Sequence, residues 1–398
     1  MSGSAHAVAA RRVFDGTSVH EDSAVLIDGS RVAAVVRRGE IPRSMEVREL
    51  PGDTWLAPGF IDIQVNGGGD VLFNDEPTPD TIRRIVAAHR KFGTTTLLPT
   101  LISDGFEKMA AALAAVDAAA KSEPGVLGIH LEGPFLSPAK AGVHKRELLR
   151  PPTDKDRDIL TARRNGVTLV TLAPEVVTEP FIAALAAAGV RVSLGHSMAT
   201  YAQTIAAMKA GVTGFTHLFN AMRPLESREP GPIAAALESP RAWYGLIVDG
   251  LHVAPAMLQL ALRGAGHPIL VTDAMPPVGG ARDRFTLQGR TVAVREGRCM
   301  TSDGTLAGAY LDMATAVRNC VRLLNVPLPN ALRFASSNPA EFLGLGHMLG
   351  RLAPGFRADM VAFNAATIEV LATWVAGCPT EDSTTQDNAS REPRKSRR

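Results

Sequence analysis

Eight short apolar runs, separated by stretches of roughly helical length, limit what this chain can fold into more than any other feature. The runs begin near Phe60, Thr94, Val126, Val167, Val190, Thr213, Trp243 and Pro268. Between them, Glu107–Lys121, Pro180–Ala188 and Tyr201–Ala210 are rich in Ala and Leu and read as helices. Gly93, Gly166, Gly189 and Gly211 stand where such helices stop before the next strand. Eight strands with helical crossovers is the count of an α/β (β/α)8 barrel, TIM-like in architecture. A doubly wound open sheet competes, but no G-x-G-x-x-G opens a helix after the first strand. Gly67-Gly68-Gly69 lies there without that spacing, so the barrel is preferred.

The two ends of the chain read differently from its middle. Val25 to Val35 is an apolar run broken by Asp28-Gly29, the signature of a β-hairpin. Ala358–Phe363 and Ile368–Val375 read as strands. Two β-rich ends around an α/β middle suggest one small sheet domain built from residues 1–57 and 350–379, with the barrel at 58–349. An excursion runs from Pro276 to about Gly308, then a helix at about Leu311–Leu324 and another ending near Gly344. Residues 380–398 are polar and charged with hardly any apolar side chain, and disorder is expected there.

Composition excludes several classes of function. Of 398 residues, 45% are hydrophobic and 21% charged, enough to bury a sizeable core. Net charge is +2, aromatics are 5%, and no basic stripe with interleaved aromatics occurs, so no nucleic-acid partner is expected. Cys299, Cys320 and Cys378 are widely spaced without a C-x-x-C, which argues against a disulfide scaffold and fits a reducing, cytoplasmic compartment. No leader pattern and no apolar stretch of spanning length is seen, so a soluble protein with no membrane partner is expected.

The chemistry gathers at strand ends. His130-Leu131-Glu132-Gly133-Pro134, Gly195-His196-Ser197, His217-Leu218-Phe219-Asn220-Ala221-Met222, Asp249-Gly250-Leu251-His252 and Val271-Thr272-Asp273-Ala274 each close an apolar run. A parallel barrel brings the C-terminal ends of its strands to one mouth, where distant residues meet. Imidazole nitrogen and carboxylate oxygen are the usual ligands of a catalytic divalent ion, and three protein ligands leave room for water and substrate. Glu132, His196 and His217 are therefore the candidate ligands. Asp273, at a fourth strand end, is the candidate general base and acid. His130 alternates onto the same side of its strand as Glu132, either to orient that carboxylate or as a packed interior histidine.

These motifs, together with Pro58-Gly59-Phe60-Ile61-Asp62, resemble the N-acetylglucosamine-6-phosphate deacetylases of the amidohydrolase superfamily, from Pro58 to Gly377. The resemblance implies a metal-dependent (β/α)8 hydrolase barrel with a small β-sandwich formed by both termini. It implies one divalent ion per subunit, Zn²⁺ or alternatively Fe²⁺, Co²⁺ or Mn²⁺, held by Glu132, His196 and His217. Asp273 becomes the catalytic acid and base. His144, beside Val143, contacts the substrate and polarises its carbonyl. Asn220 and Ala221 touch the sugar phosphate. Arg228 binds phosphate across a homodimer interface, Asp249 and His252 belong to the same pocket, and Leu306-Ala307-Gly308 closes over the substrate. The implied reaction is hydrolysis of N-acetyl-D-glucosamine 6-phosphate to D-glucosamine 6-phosphate and acetate in amino sugar catabolism.

Some positions depart from the pattern. Where many amidohydrolases carry His-x-His for a second metal, this chain has Gln64-Val65-Asn66. Neutral amides are poor ligands for such an ion, so a single tightly held metal is expected. Met198 and Ala309 replace a more polar residue and a serine. Two other readings remain: a deaminase or cyclic amidase, which would leave Arg228 and His252 without a role, and a non-catalytic sugar-phosphate sensor.

Overall fold

The computed structural model describes residues 5–380. Its centre is an eight-stranded parallel sheet: β1 (Phe60–Val65), β2 (Thr94–Ile102), β3 (Gly128–Glu132), β4 (Val167–Leu172), β5 (Arg191–Leu194), β6 (Val212–Phe215), β7 (Trp243–Leu246) and β8 (His267–Leu270). Each strand pairs with the next in chain order. A parallel bridge between Val65 and Ala274 ties β1 to the chain just past β8 and closes the ring. Every strand starts within two residues of its predicted start, because strands buried on both faces are rich in apolar and β-branched residues along their length. All nine residues of β2 are buried.

The crossover helices carry their own start and stop signals. Thr78, Thr178 and Thr200 cap the helices at Pro79–Arg90, Glu179–Ala187 and Tyr201–Ala210, each side chain accepting a backbone N–H of the first turn. Gln203 completes a capping box with Thr200. Gly211, at φ +132°, ends the third helix in a backbone conformation that suits glycine. The inner faces of these helices join the barrel wall in one apolar cluster that includes Leu98, Ile129, Val170, Val192, Phe215, Leu246 and Ile269. Each such side chain contributes about 1.5–3 kcal/mol on burial.

Both ends of the chain enter a second, mixed sheet of eight strands. Met360–Asn364 lies antiparallel to Thr54–Pro58, which runs directly into β1. The sheet curls until Arg31 bridges Arg357, enclosing Val8, Ile27, Leu56, Met360 and Trp374 in a core of its own. The Asp28-Gly29 turn joins Val19–Asp28 to Arg31–Arg37 as predicted. Apart from Thr380, the predicted tail lies outside the described residues.

The excursion after β8 is a four-stranded antiparallel sheet, Arg284–Leu287, Arg290–Arg295, Arg298–Thr301 and Leu306–Ala309. It sits on the barrel mouth through a small cluster of Leu287, Val292, Cys299 and Ala307 against Ile102 and Met275, with Val143 packed alongside.

Candidate active site

Glu132 is the last residue of β3, and His196 and His217 lie two residues beyond β5 and β6. All three are buried. His196 Nε2 is 3.2 Å and His217 Nε2 is 2.9 Å from the same Glu132 oxygen, and the two nitrogens are 3.1 Å apart. No assignment of ring protons satisfies all three contacts. A proton on either nitrogen can serve the carboxylate, but two protons would clash and a bare nitrogen faces a negative oxygen. A cation among the three atoms removes the conflict. Ligands 2.0–2.1 Å from a tetrahedral ion stand about 3.3 Å apart, close to the edges of this triangle. His196 Nδ1 lies 2.7 Å from the Lys140 carbonyl and donates to it, which leaves Nε2 as the lone-pair nitrogen. The residues present therefore fit a divalent metal ion. Burial alone would raise the Glu132 carboxyl, but the neighbouring imidazoles of His217 and His196 hold it well below its ordinary range.

Asp273 stands beside this triangle. Burial, then the charge of Glu132, lifts its pKa to about 6, against the pull of His217, His252 and Asn66. Asn66 Nδ2 donates to Asp273 Oδ1 at 2.6 Å. Gln64 Nε2 reaches both Asp273 Oδ1 and Glu132 Oε2 at 3.3 Å. The amides of Gln64 and Asn66 thus donate hydrogen bonds to the carboxylates of Glu132 and Asp273. His196, His217 and Asp273 all have left-handed backbones, at φ +48°, +33° and +52°. Such conformations cost about 1–3 kcal/mol each for residues with a side chain and cluster where function demands them.

A cavity of about 280 Å³ opens over these groups. Glu132, His196, His217 and Asp273 line it together with Val143, His144, Asn220, Ala221, His252, Leu306 and Gly308. His144 is buried, its ring centroid 4.5 Å from that of His196, and burial followed by the His196 charge lowers its pKa to about 3, so it is neutral. His252 pairs through Nδ1 with Asp249 Oδ2 at 2.6 Å. Burial would raise the Asp249 carboxyl, yet hydrogen bonds from the His252 ring and from backbone N–H groups hold it below its ordinary value.

The amidohydrolase family profile matches residues 55–383. The chain belongs to the amidohydrolase family. Among curated relatives, an N-acetylgalactosamine-6-phosphate deacetylase from Shewanella sp. (strain ANA-3) is 46% identical over 326 residues, 81% of this chain and 82% of that protein. The crystal structure of N-acetylglucosamine-6-phosphate deacetylase from Pasteurella multocida superposes with a TM-score of 0.92 at 34% identity, over 95% of this chain and all of that one, 100%. A mutant N-acetyl-D-glucosamine-6-phosphate deacetylase from Mycobacterium smegmatis, solved with N-acetyl-D-glucosamine 6-phosphate, superposes with a TM-score of 0.86 at 36% identity, covering 95% of this chain and 99% of that one.

In this amidohydrolase not every residue singled out from sequence reaches the cavity. Ala307 is buried in the small cluster beneath the inserted sheet while its neighbours Leu306 and Gly308 line the cavity. The Asp249 carboxylate turns back to accept from Leu251 and His252 N–H groups at 2.8 and 2.9 Å. Arg228 is exposed and is not part of the cavity wall of its own chain. His130 hydrogen-bonds the hydroxyls of Thr171 at 2.7 Å and Thr100 at 3.3 Å, making it part of a buried polar layer beneath Glu132. Burial lowers its pKa to about 4, so it too is neutral.

Three supporting residues had not been singled out. Glu175 follows β4 and accepts from the Ser197 hydroxyl at 2.7 Å and the Met198 N–H at 2.5 Å, bracing the turn that carries His196. It stands at a strand end, so the rule that found the ligands could have found it. Ser103 follows β2 in the same way. Gln288 sits in a hairpin turn of the inserted sheet, and nothing in the sequence marked it.

Proposed function

We propose that this amidohydrolase hydrolyses the acetamide of N-acetyl-D-glucosamine 6-phosphate, releasing acetate and D-glucosamine 6-phosphate in amino sugar catabolism. The observation that carries this reading is the convergence of Glu132, His196 and His217 beside Asp273 and a neutral His144 in one cavity. Glu132, His196 and His217 would hold a divalent ion, with Zn²⁺ suited to two imidazoles and a carboxylate. When bound, the ion supplies an acidified water and a polarised carbonyl. Asp273 accepts the proton of the attacking water as oxygen adds to the carbonyl carbon. His144 donates a hydrogen bond to the oxygen on which negative charge develops. The carbon–nitrogen bond then breaks as Asp273 returns the proton to the amine. His252, pinned by Asp249, and Asn220 line the same cavity, which supports reading them as contacts to the sugar phosphate.

A phosphate would draw Arg228 inward from a second copy of the chain, since the guanidinium fork suits phosphate oxygens. The exposure of Arg228, with Leu225 of the same loop 42% exposed, supports a homodimer built on that surface. Three free cysteines fit a cytoplasmic setting. No helix among the described residues is long and apolar enough to cross a membrane.

The galactosamine epimer is a second reading, favoured by the 46% identical Shewanella relative. Both are tested by acetate release from the two 6-phosphates and from unphosphorylated N-acetylglucosamine, before and after chelation and readdition of Zn²⁺. Release from a 6-phosphate that vanishes with chelator and returns with metal is expected. No release from any metal-replete sample would sink the hydrolase reading. A strong preference for the galacto sugar would reassign the substrate alone.

A further inference from the structure

His144 is fixed from two elements outside the metal triangle. Its Nδ1 lies 3.3 Å from the backbone nitrogen of Ser103 and 2.8 Å from the Ser103 hydroxyl. A backbone N–H only donates, so Nδ1 is the acceptor and the ring proton resides on Nε2. Ser103 is itself buried, 1% exposed. Its carbonyl accepts a hydrogen bond from Gln288 Nε2 at 2.6 Å, while Gln288 Oε1 accepts from the Lys145 N–H at 2.9 Å. One side-chain amide thus bridges Ser103 and the residue next to His144.

Gln288 occupies the first turn position of the inserted sheet's first hairpin at φ +48°, followed by Gly289 at φ +84°. Asn or Gly suits that position better, so a glutamine there runs against local preference. Its extra methylene gives the reach that spans both partners. Around this clasp Leu287 packs with Ile102 and Val143, the chain neighbours of Ser103 and His144. The same inserted sheet supplies Leu306 and Gly308 to the cavity wall.

We propose that Ser103 and Gln288 are positioning residues for His144: the contact that docks the inserted sheet also holds the imidazole as an Nε2–H donor to the acyl oxygen. What His144 does in the reaction rests on the function proposed above; how it is held does not.

The test is a set of double-mutant cycles on the full chain, with acetate release and metal content measured for Gln288→Ala, Ser103→Ala, His144→Gln and the doubles with His144→Gln. Each single positioning variant is expected to lower kcat roughly tenfold, with KM and metal content little changed. In the His144→Gln background neither should add a further loss, because both act through that ring. Gln288→Asn, which favours the turn but is too short to bridge, should behave like Gln288→Ala, whereas Thr286→Ala on the exposed face of the same hairpin should match wild type. Unchanged kcat in Gln288→Ala and Ser103→Ala, an equal loss in the His144→Gln background, or full activity of Gln288→Asn would overturn the proposal. ¹⁵N NMR of histidine-labelled protein, with His144→Gln to assign the resonance, reads the tautomer without substrate. An Nε2-protonated ring is expected, and an Nδ1-protonated ring would overturn the proposal even in an active enzyme. An inactive wild type with the Nε2-protonated ring would remove the function and leave the positioning intact.

Discussion

His196 and His217 direct their Nε2 atoms at one oxygen of Glu132, 3.2 and 2.9 Å away, from strands whose ends lie 21 residues apart in the chain. Three donors on three separate strands make a site that no short segment could form alone. Loss of any one donor should therefore abolish tight binding. His196→Ala or Glu132→Gln is expected to drop metal content after dialysis from about one ion per chain to near zero, while the fold survives. Elemental analysis beside circular dichroism checks this. Full metal retention in both variants would show that the ion sits elsewhere.

As the proposed base, Asp273 must be ionised to act. Its pKa is held up at about 6 by burial and by Glu132. A bound cation favours the ionised form, so the acid limb of kcat/KM should lie at or below about 6. Asp273→Asn should cost on the order of 10³-fold or more in kcat with metal content unchanged, since base and acid are lost together. An acid limb centred above pH 7, or substantial activity in the asparagine variant, would assign the proton transfer to another group.

Gln64 and Asn66 donate hydrogen bonds to Glu132 and Asp273, as amides do and metal-bound imidazoles would not. The wild type should bind one metal. The double variant Gln64→His with Asn66→His replaces amide donors by imidazole ligands and should bind close to two. Metal titration by calorimetry counts the sites. A wild-type stoichiometry of two would mean that these amides do not exclude the second ion.

Asp62 is fully buried, accepting from the Thr272 hydroxyl at 2.5 Å and from the Gln64 and Thr272 N–H groups at 3.2 and 3.3 Å. Burial outweighs these bonds and lifts its pKa to about 7. A carboxyl with a higher pKa in the folded than in the unfolded chain favours folding while protonated. That advantage is complete below about pH 4 and is lost as pH climbs through about 7, by an amount with an upper bound on the order of 4 kcal/mol. Asp62→Asn should flatten the fall in stability across this window. Urea unfolding at pH 4.5, 6 and 7.5 compares the slopes, and parallel curves for the two proteins would refute the assignment.

Much of this could be read before the fold was known. Strands buried on both faces are dominated by apolar and β-branched residues along their length, so Val167–Leu172 and its counterparts announced themselves. The barrel then turned strand ends into a mouth, which is why Glu132, His196, His217 and Asp273 were legible from position alone. The inserted sheet was not. Its strands are four to six residues long and carry Arg284, Arg290, Arg295 and Arg298 on a surface that is half exposed, so no apolar run marks them. Gln288 escaped for another reason: its partners, the Ser103 carbonyl and the Lys145 N–H, are backbone groups, whose positions depend on tertiary structure and leave no trace in side-chain spacing.

The left-handed backbones at His196, His217 and Asp273 set durability against chemistry at the mouth of the barrel. Glycine would relax each of these turns at the expense of its functional side chain. A lineage screened only for resistance to heat would have reason to drift toward glycine at all three places, and would become sturdier and inert by the same steps. That each position carries an imidazole or a carboxylate means that this chain bears the backbone strain and keeps the functional groups.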